Sequence, residues 1–348
     1  MPAFLGSPAI VLPPHAVTVD EIVEDIGRAH PDHPLLTRWS RIVGRTGVQL
    51  RHFTQPLKTV ATTEDIESRN NRAFDDVCAM GVEAAVGALL GSGLDPADID
   101  AVVTSHSTGL AVPGLDVHLV NSLRLNPAVS RVPLTQLGCA GGAHALVRAA
   151  DYLRAHPGRR VLVVVAETLS TVYQHSETTT ESMIYKALFG DSAGAVVVTD
   201  TPVGGGPRID DTWEYVIPDS TERYRMRLDG TGQHFESTAQ ALESMADLIP
   251  PLLDWYRRDP EDSPAFLIAH TGGPRILSDL QAGLDCAPEL LDHSWAGLRD
   301  RGNLGGVAVL DVLARHFTDP PAAGSTGLLV GVGPGFTAAA CRTTWSAE

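Results

Sequence analysis

Asp95-Pro-Ala-Asp-Ile-Asp-Ala-Val-Val-Thr-Ser-His106 has a second edition in the same chain, Asp259-Pro-Glu-Asp-Ser-Pro-Ala-Phe-Leu-Ile-Ala-His270. Asp, Pro, Asp, Ala and His coincide at one offset of 164 residues. The offset continues without a gap: Gly109 falls on Gly273, Gly138 on Gly302, Gly141-Gly142 on Gly305-Gly306, and Leu146 on Leu310. A register shared over that length marks a duplicated structural unit. Each copy has the same grammar. A helix (about Glu64–Leu90, and Ala239–Arg257) leads to a polar turn opened by Asp-Pro, and then to a strand (Ala101–Ser105, Ala265–Ala269). A His-containing loop, a Gly-rich turn and a second helix follow (Cys139–Ala155, Asn303–His316), and a strand closes the unit (Val161–Ala166, Gly327–Val332).

The runs Val161-Leu-Val-Val-Val and Leu328-Leu-Val are continuously apolar, as expected of strands covered on both faces. Strand–helix alternation of this kind builds α/β layers, and two packed copies make an αβαβα sandwich. The Pro/Gly-rich stretch Thr201-Pro-Val-Gly-Gly-Gly-Pro207 predicts the boundary, with residues 1–203 forming the N-terminal half and 204–348 the C-terminal half.

Bulk properties remove other classes. The 348 residues are 43% hydrophobic, enough for one large core or two packed ones. No basic segment followed by a long apolar run opens the chain, and no apolar stretch approaches membrane-spanning length, so a cytoplasmic protein is expected. Cys78, Cys139, Cys286 and Cys341 lie far apart, without metal-ligand spacing, and read as free thiols. A net charge of -16 argues against a nucleic-acid surface. The local exception is the window between Asp32 and Glu64, which holds Arg38, Arg41, Arg45, Arg51, His52 and Lys58 and no acid. Arg38, Arg41 and Arg45 share one face if the segment is helical, which suits a small polyanion or, equally, a solvated surface.

At equivalent points of the two copies the residue opening the helix differs: Cys139 in one, Asn303 in the other. A cysteine at a helix N-terminus meets unpaired N–H groups and the positive end of the dipole, which favour its thiolate. A buried structural cysteine is the bland alternative. His270 follows a buried strand and precedes Thr271-Gly272-Gly273-Pro274, the placement of a functional group in an open α/β sheet. Asn303 alone would read as an N-cap, but the repeat makes it the pseudo-mate of Cys139. The same symmetry places His106 beside His270, as a cavity neighbour. Cys, His and Asn make either a cysteine protease, in which Asn orients His, or a decarboxylating condensing enzyme, in which His and Asn stabilise an enolate. The duplication favours the second.

Gln136-Leu-Gly-Cys-Ala-Gly-Gly142 resembles the nucleophile motif of the type III polyketide synthases, the chalcone synthase superfamily. Ala187-Leu-Phe-Gly-Asp191, His270-Thr-Gly-Gly-Pro274, Gly302-Asn303 and Gly331-Val-Gly-Pro-Gly335 match its other landmarks in order. The resemblance spans nearly the whole chain. It implies a thiolase-like fold, a homodimer, and acyl-CoA starter and malonyl-CoA extender substrates, with no cofactor beyond coenzyme A thioesters. It implies that Cys139 carries the acyl group while His270 and Asn303 form the decarboxylation and oxyanion site. Phe189 and Phe235 match two gatekeeping phenylalanines. Ser107, Thr108, Val172, Met226 and Gly305 match cavity positions, and Val112, in Gly109-Leu-Ala-Val112-Pro-Gly114, matches a side chain that enters the partner's cavity. Arg45 and Arg51 match the coenzyme A-binding region. Alternatives within the fold are a ketoacyl-carrier-protein synthase III and a non-extending acyltransferase.

The chain departs from the pattern at three places. The family's Gly-Phe-Gly-Pro-Gly has Val332 in place of Phe, and a loop that carries a second active-site cysteine in tetrahydroxynaphthalene synthases reads His106-Ser107-Thr108-Gly109 here. The cavity tyrosine of those enzymes falls on Met226. These losses predict a tri- or tetraketide, released as a pyrone or small phenolic ring.

Overall fold

The computed structural model describes residues 2–62, 64–259 and 262–347. Pro260 and Glu261 of the second repeat lie outside the described residues. Strands β1 (Ala3–Leu5), β2 (Ala9–Val11), β3 (His15–Thr18) and β4 (Leu50–Phe53) come from the N-terminal segment. The first half continues with β5 (Ala101–His106), β6 (Ser130–Thr135), β7 (Arg160–Glu167) and β8 (Ser192–Thr199). The second half holds β9 (Gly206–Val216), the hairpin β10 (Tyr224–Asp229) and β11 (Gly232–Ser237), and then β12 (Phe266–Ala269), β13 (Thr326–Gly333) and β14 (Thr337–Ser346).

The duplication is visible in the pairing. β5 pairs parallel with β7, and β7 antiparallel with β8. Likewise β12 pairs parallel with β13, and β13 antiparallel with β14. The short β1 pairs antiparallel with both β8 and β9, so one hydrogen-bonded path crosses from half to half, β12-β13-β14-β9-β1-β8-β7-β5-β6. This bridge was not legible in the repeat.

Alternation along the apolar strands explains their continuous runs. Val161, Val163 and Val165 of β7 face a central core with Ile268, Leu329 and Cys341, while Leu162, Val164 and Ala166 face an outer core. The helices Gly141–Ala155 and Ala308–Thr318 fill the central layer. Ile66–Ser92 and Leu115–Leu123 cover one outer face, and Ser244–Tyr256 and Pro274–Leu284 the other. The layers are therefore αβαβα. The two central helices start against each other. A Cβ on Gly142 would lie 2.0 Å from the carbonyl oxygen of Gly306, its pseudo-equivalent, so only glycine permits the approach.

An N-terminal cap, with Ile22, Trp39 and Phe53 in its core, packs on Tyr173 and Met183. Its helix Leu36–Val43 exposes Arg38 and Arg41, and Arg45 is exposed just past the helix end. Arg51 is different. It lies on β4, where alternation turns Arg51 and Phe53 inward, and it is fully buried. Its guanidinium nitrogens have no hydrogen-bond partner among the described residues, and burial pushes its pKa down to about 10. The surface patch expected from sequence thus loses Arg51.

Candidate active site

Cys139 sits in a tight turn between β6 and the helix Gly141–Ala155. Gln136 (φ 66) and Gly138 (φ 53) both take the left-handed conformation, and Cys139 lies in the single 3₁₀ turn Gly138–Ala140. A left-handed non-glycine residue two positions before the glycine is local strain held by the surroundings. In the second copy positive φ falls on glycines alone, Gly302 (φ 75) before Asn303 and Gly305 (φ 60) after it. Asn303 is fixed by two backbone hydrogen bonds, which together make a parallel bridge to Phe189. Its N–H donates to Leu188 O at 2.7 Å, and its carbonyl accepts from Gly190 N at 3.1 Å. Its side-chain Oδ1 accepts from Gly305 N at 2.9 Å, which orients the amide so that Nδ2 is its donor end.

His270 follows β12, its N–H donating to Val330 O at 3.0 Å, and is buried. Cys139, His270 and Asn303 line one cavity of about 50 Å³, together with Phe189, Phe235, Tyr185 and Tyr224. A second cavity, about 340 Å³, is lined by Ser107, Leu169, Met226 and Gln233, and also by Cys139, Phe189 and Phe235. The sulfur therefore borders both spaces.

Electrostatics differ from the sequence expectation. Burial, followed by the nearby Glu167 carboxylate, pushes the Cys139 thiol up to about 12, against a smaller lowering by Asn303. Burial pushes the His270 imidazole down to about 4. Desolvation thus opposes the thiolate that the helix start favours, although Cys139 is only partly buried while His270 is fully so. His270 Nδ1 is buried without a partner among the described residues.

The remaining sequence-derived positions divide. Ser107 and Met226 line the larger cavity. Thr108 is buried behind it, its hydroxyl bonded to Thr168 and Glu167. Val172 packs behind Phe189 with Leu169. Gly305 backs onto Glu167 and Leu169. Val112 is fully exposed, outside this chain's own cavities. His106, expected near His270, instead bonds through Nδ1 to Thr108 O at 2.9 Å and lines neither cavity.

Three residues escaped the sequence reading. Glu167 ends β7 and is buried, with Oε2 accepting from the Ser107 N–H and hydroxyl and Oε1 without a partner among the described residues. Burial raises its pKa to about 7. A lone acid closing the apolar run Val161–Ala166 was the available signal. Tyr185, one helical turn before Phe189, and Tyr224, two residues before Met226 on the same strand face, both line the smaller cavity. These tyrosines belong to the smaller cavity, and the larger one, beside Met226, has no tyrosine in its lining.

An αβαβα duplication with a helix-start cysteine facing a histidine and an asparagine defines the thiolase-fold enzymes that transfer and condense acyl groups. The model for the N-terminal domain of chalcone and stilbene synthases matches residues 35–202. The chain is 35% identical to a 1,3,6,8-tetrahydroxynaphthalene synthase of Streptomyces griseus, covering 99% of this chain and 94% of the relative. It is 33% identical to a phloroglucinol synthase of Pseudomonas fluorescens, covering 98% of each. Among solved structures it is similar to the Streptomyces coelicolor 1,3,6,8-tetrahydroxynaphthalene synthase (TM-score 0.94, 33% identity, 99% of this chain and 100% of that one). It is also similar to germicidin synthase of the same organism (TM-score 0.93, 33% identity, 99% and 100%). The chain belongs to the type III polyketide synthases, the chalcone and stilbene synthase family. It is an acyltransferase-type condensing enzyme, of a family that uses acyl-CoA and malonyl-CoA and needs no cofactor beyond coenzyme A thioesters. No helix among the described residues is long and apolar enough to cross a membrane.

Proposed function

We propose that Cys139 is the acyl-carrying nucleophile and that His270 and Asn303 hold the thioester carbonyl of malonyl-CoA while it decarboxylates. The observation that carries this is the convergence of the three side chains, from two pseudo-equivalent helix starts and a strand end, on one buried cavity. Loading begins as His270 takes the Cys139 thiol proton and the sulfur attacks the starter carbonyl. Coenzyme A leaves as its thiol, taking that proton. In the second step the carboxylate C–C bond of malonyl-CoA breaks and CO2 departs. Its electron pair becomes an enolate, whose oxygen accepts hydrogen bonds from His270 and the Asn303 amide. The enolate carbon then attacks the Cys139 thioester, and the sulfur leaves as thiolate. Incubation with malonyl-CoA and a panel of acyl-CoA starters, followed by mass spectrometry, tests the scheme. Products heavier by two-carbon units support it, and simple transfer to an alcohol or amine argues for a non-extending acyltransferase.

The exposed Arg38, Arg41 and Arg45 are the cations available to coenzyme A phosphates. The enzyme works as a homodimer. Support comes from fully exposed Val112 beside Leu110, and from β6, whose recorded pairing is with β5 alone among the described residues. The division at residues 203 and 204 falls in the turn between β8 and β9. Four free thiols suit a reducing cytoplasm. The product is a tri- or tetraketide pyrone or small phenolic ring from an acyl-CoA starter. The 340 Å³ chamber beside Met226 supports this, as does the absence of a tyrosine from its lining, since Tyr185 and Tyr224 line the smaller cavity.

A further inference from the structure

Cys139, Phe189, Phe235 and Pro334 line both cavities, and no other residue is common to the two. The spaces are unequal, about 50 Å³ on the His270–Asn303 side and about 340 Å³ on the Ser107–Met226 side. A space of the smaller size holds a few water-sized groups, enough for the head of an extender unit and too little for a folded acyl chain.

Tyr185 makes the small side small. Its ring stacks on Phe189 (centroids 5.4 Å apart, 13° between planes) and meets Phe235 edge to face (4.6 Å, 86°). Its hydroxyl donates to Ser237 Oγ at 2.6 Å. Ser237 lies two residues past Phe235 on the same face of β11, so the tyrosine ties the helix Thr180–Leu188 to the hairpin. At the other end of that helix segment, Phe189 is bridged to Asn303. The ring is thus held at both ends and leaves its place only by giving up a hydrogen bond and two aromatic contacts.

We propose that Tyr185 is a specificity-determining residue. It reserves the His270–Asn303 compartment for the extender and sends the Cys139-bound acyl chain into the larger chamber, so bulky aromatic starters that would need both spaces are refused. The proposal rests on the roles assigned above to Cys139, His270 and Asn303.

Wild type, Tyr185→Ala, Tyr185→Leu and Tyr185→Phe are given malonyl-CoA with acetyl-CoA or benzoyl-CoA, and products are weighed by mass spectrometry. Malonyl-CoA decarboxylation and a thermal melt are recorded alongside. Removing the ring raises the benzoyl-to-acetyl product ratio by about 10- to 100-fold, the range for reshaping an apolar pocket. Tyr185→Phe keeps the wild-type ratio because the ring remains. Should Tyr185→Ala misfold, Tyr185→Leu carries the test. An unchanged ratio in a folded variant that still decarboxylates malonyl-CoA overturns the proposal. So does a Tyr185→Phe ratio as high as that of the alanine variant, since the wall would then be the Ser237 bond and not the ring. Absence of decarboxylation in the wild type defeats the catalytic reading itself, a different failure.

Discussion

At the residue scale, equivalent helix starts of the two halves carry different side chains, Cys139 and Asn303. Asn303 is held by Leu188 O, Gly190 N and Gly305 N, so its amide is an oriented donor before substrate arrives. Asn303→Ala keeps starter acylation of Cys139 but loses about 10²–10³ in malonyl-CoA decarboxylation, measured as CO2 release. Normal decarboxylation would leave Asn303 as a mere helix-start residue. Glu167 acts on the thiol from behind Ser107, outside the lining of both cavities. Its charge raises the Cys139 pKa, and it is itself charged only above about pH 7. Glu167→Gln removes that charge and lowers the thiol pKa. Iodoacetamide then alkylates Cys139 faster at pH 8, by about threefold or more, with little difference at pH 6. Equal rates at both pH values, read by peptide mapping, would sink this coupling. Helix position, which favours the thiolate, is readable from residues, whereas the desolvation that opposes it is not.

At the scale of elements, the β10–β11 hairpin shows how alternation builds a cavity wall. The pairs Tyr224–Ser237, Met226–Phe235 and Leu228–Gln233 share one face, with residues on it lining the cavities. Arg225, Arg227, Glu236 and His234 occupy the other, with Arg225 and Arg227 each 2.9 Å from Glu236. Met226→Gly enlarges the chamber without disturbing those outer pairs. Product mass is expected to rise by two-carbon units, or bulkier starters to be accepted; an unchanged product set would show that Met226 does not limit the chamber. The glycine crossing of the central helices is the stricter constraint. Gly142→Ala forces a Cβ against Gly306 O and Val309 and costs about 3 kcal/mol. Gly91→Ala, in open space on the Ile66–Ser92 helix, stabilises by about 0.5–1 kcal/mol. Urea midpoints at equal slope separate the two.

At the scale of the whole molecule, the chain leaves two features uncovered close to the nucleophile. β6 runs directly into the Cys139 turn, and Val112 projects fully into solvent from the loop after β5. A self-complementary interface over both would bury them by a two-fold axis. Sedimentation at micromolar concentration is expected to give about twice the 36.9 kDa chain mass. Val112→Asp should shift the equilibrium toward monomer. A wild type that sediments as a single chain would defeat the dimer.

What the residues determined alone is whatever repeats at fixed spacing. The 164-residue offset marked both strand–helix units, the paired helix starts at Cys139 and Asn303, and the buried strands. Local periodicity and turn chemistry carry that information directly. Tertiary structure decided what depends on which surfaces meet. Packing between layers brought β1 between β8 and β9, turned Arg51 inward on β4, and drew His106 to Thr108 and away from the cavity. It also set Tyr185 against two phenylalanines and buried His270, and its desolvation opposes the thiolate expected at Cys139. Desolvation and cavity shape arise from segments far apart in the chain, and no spacing within any one of them records their approach.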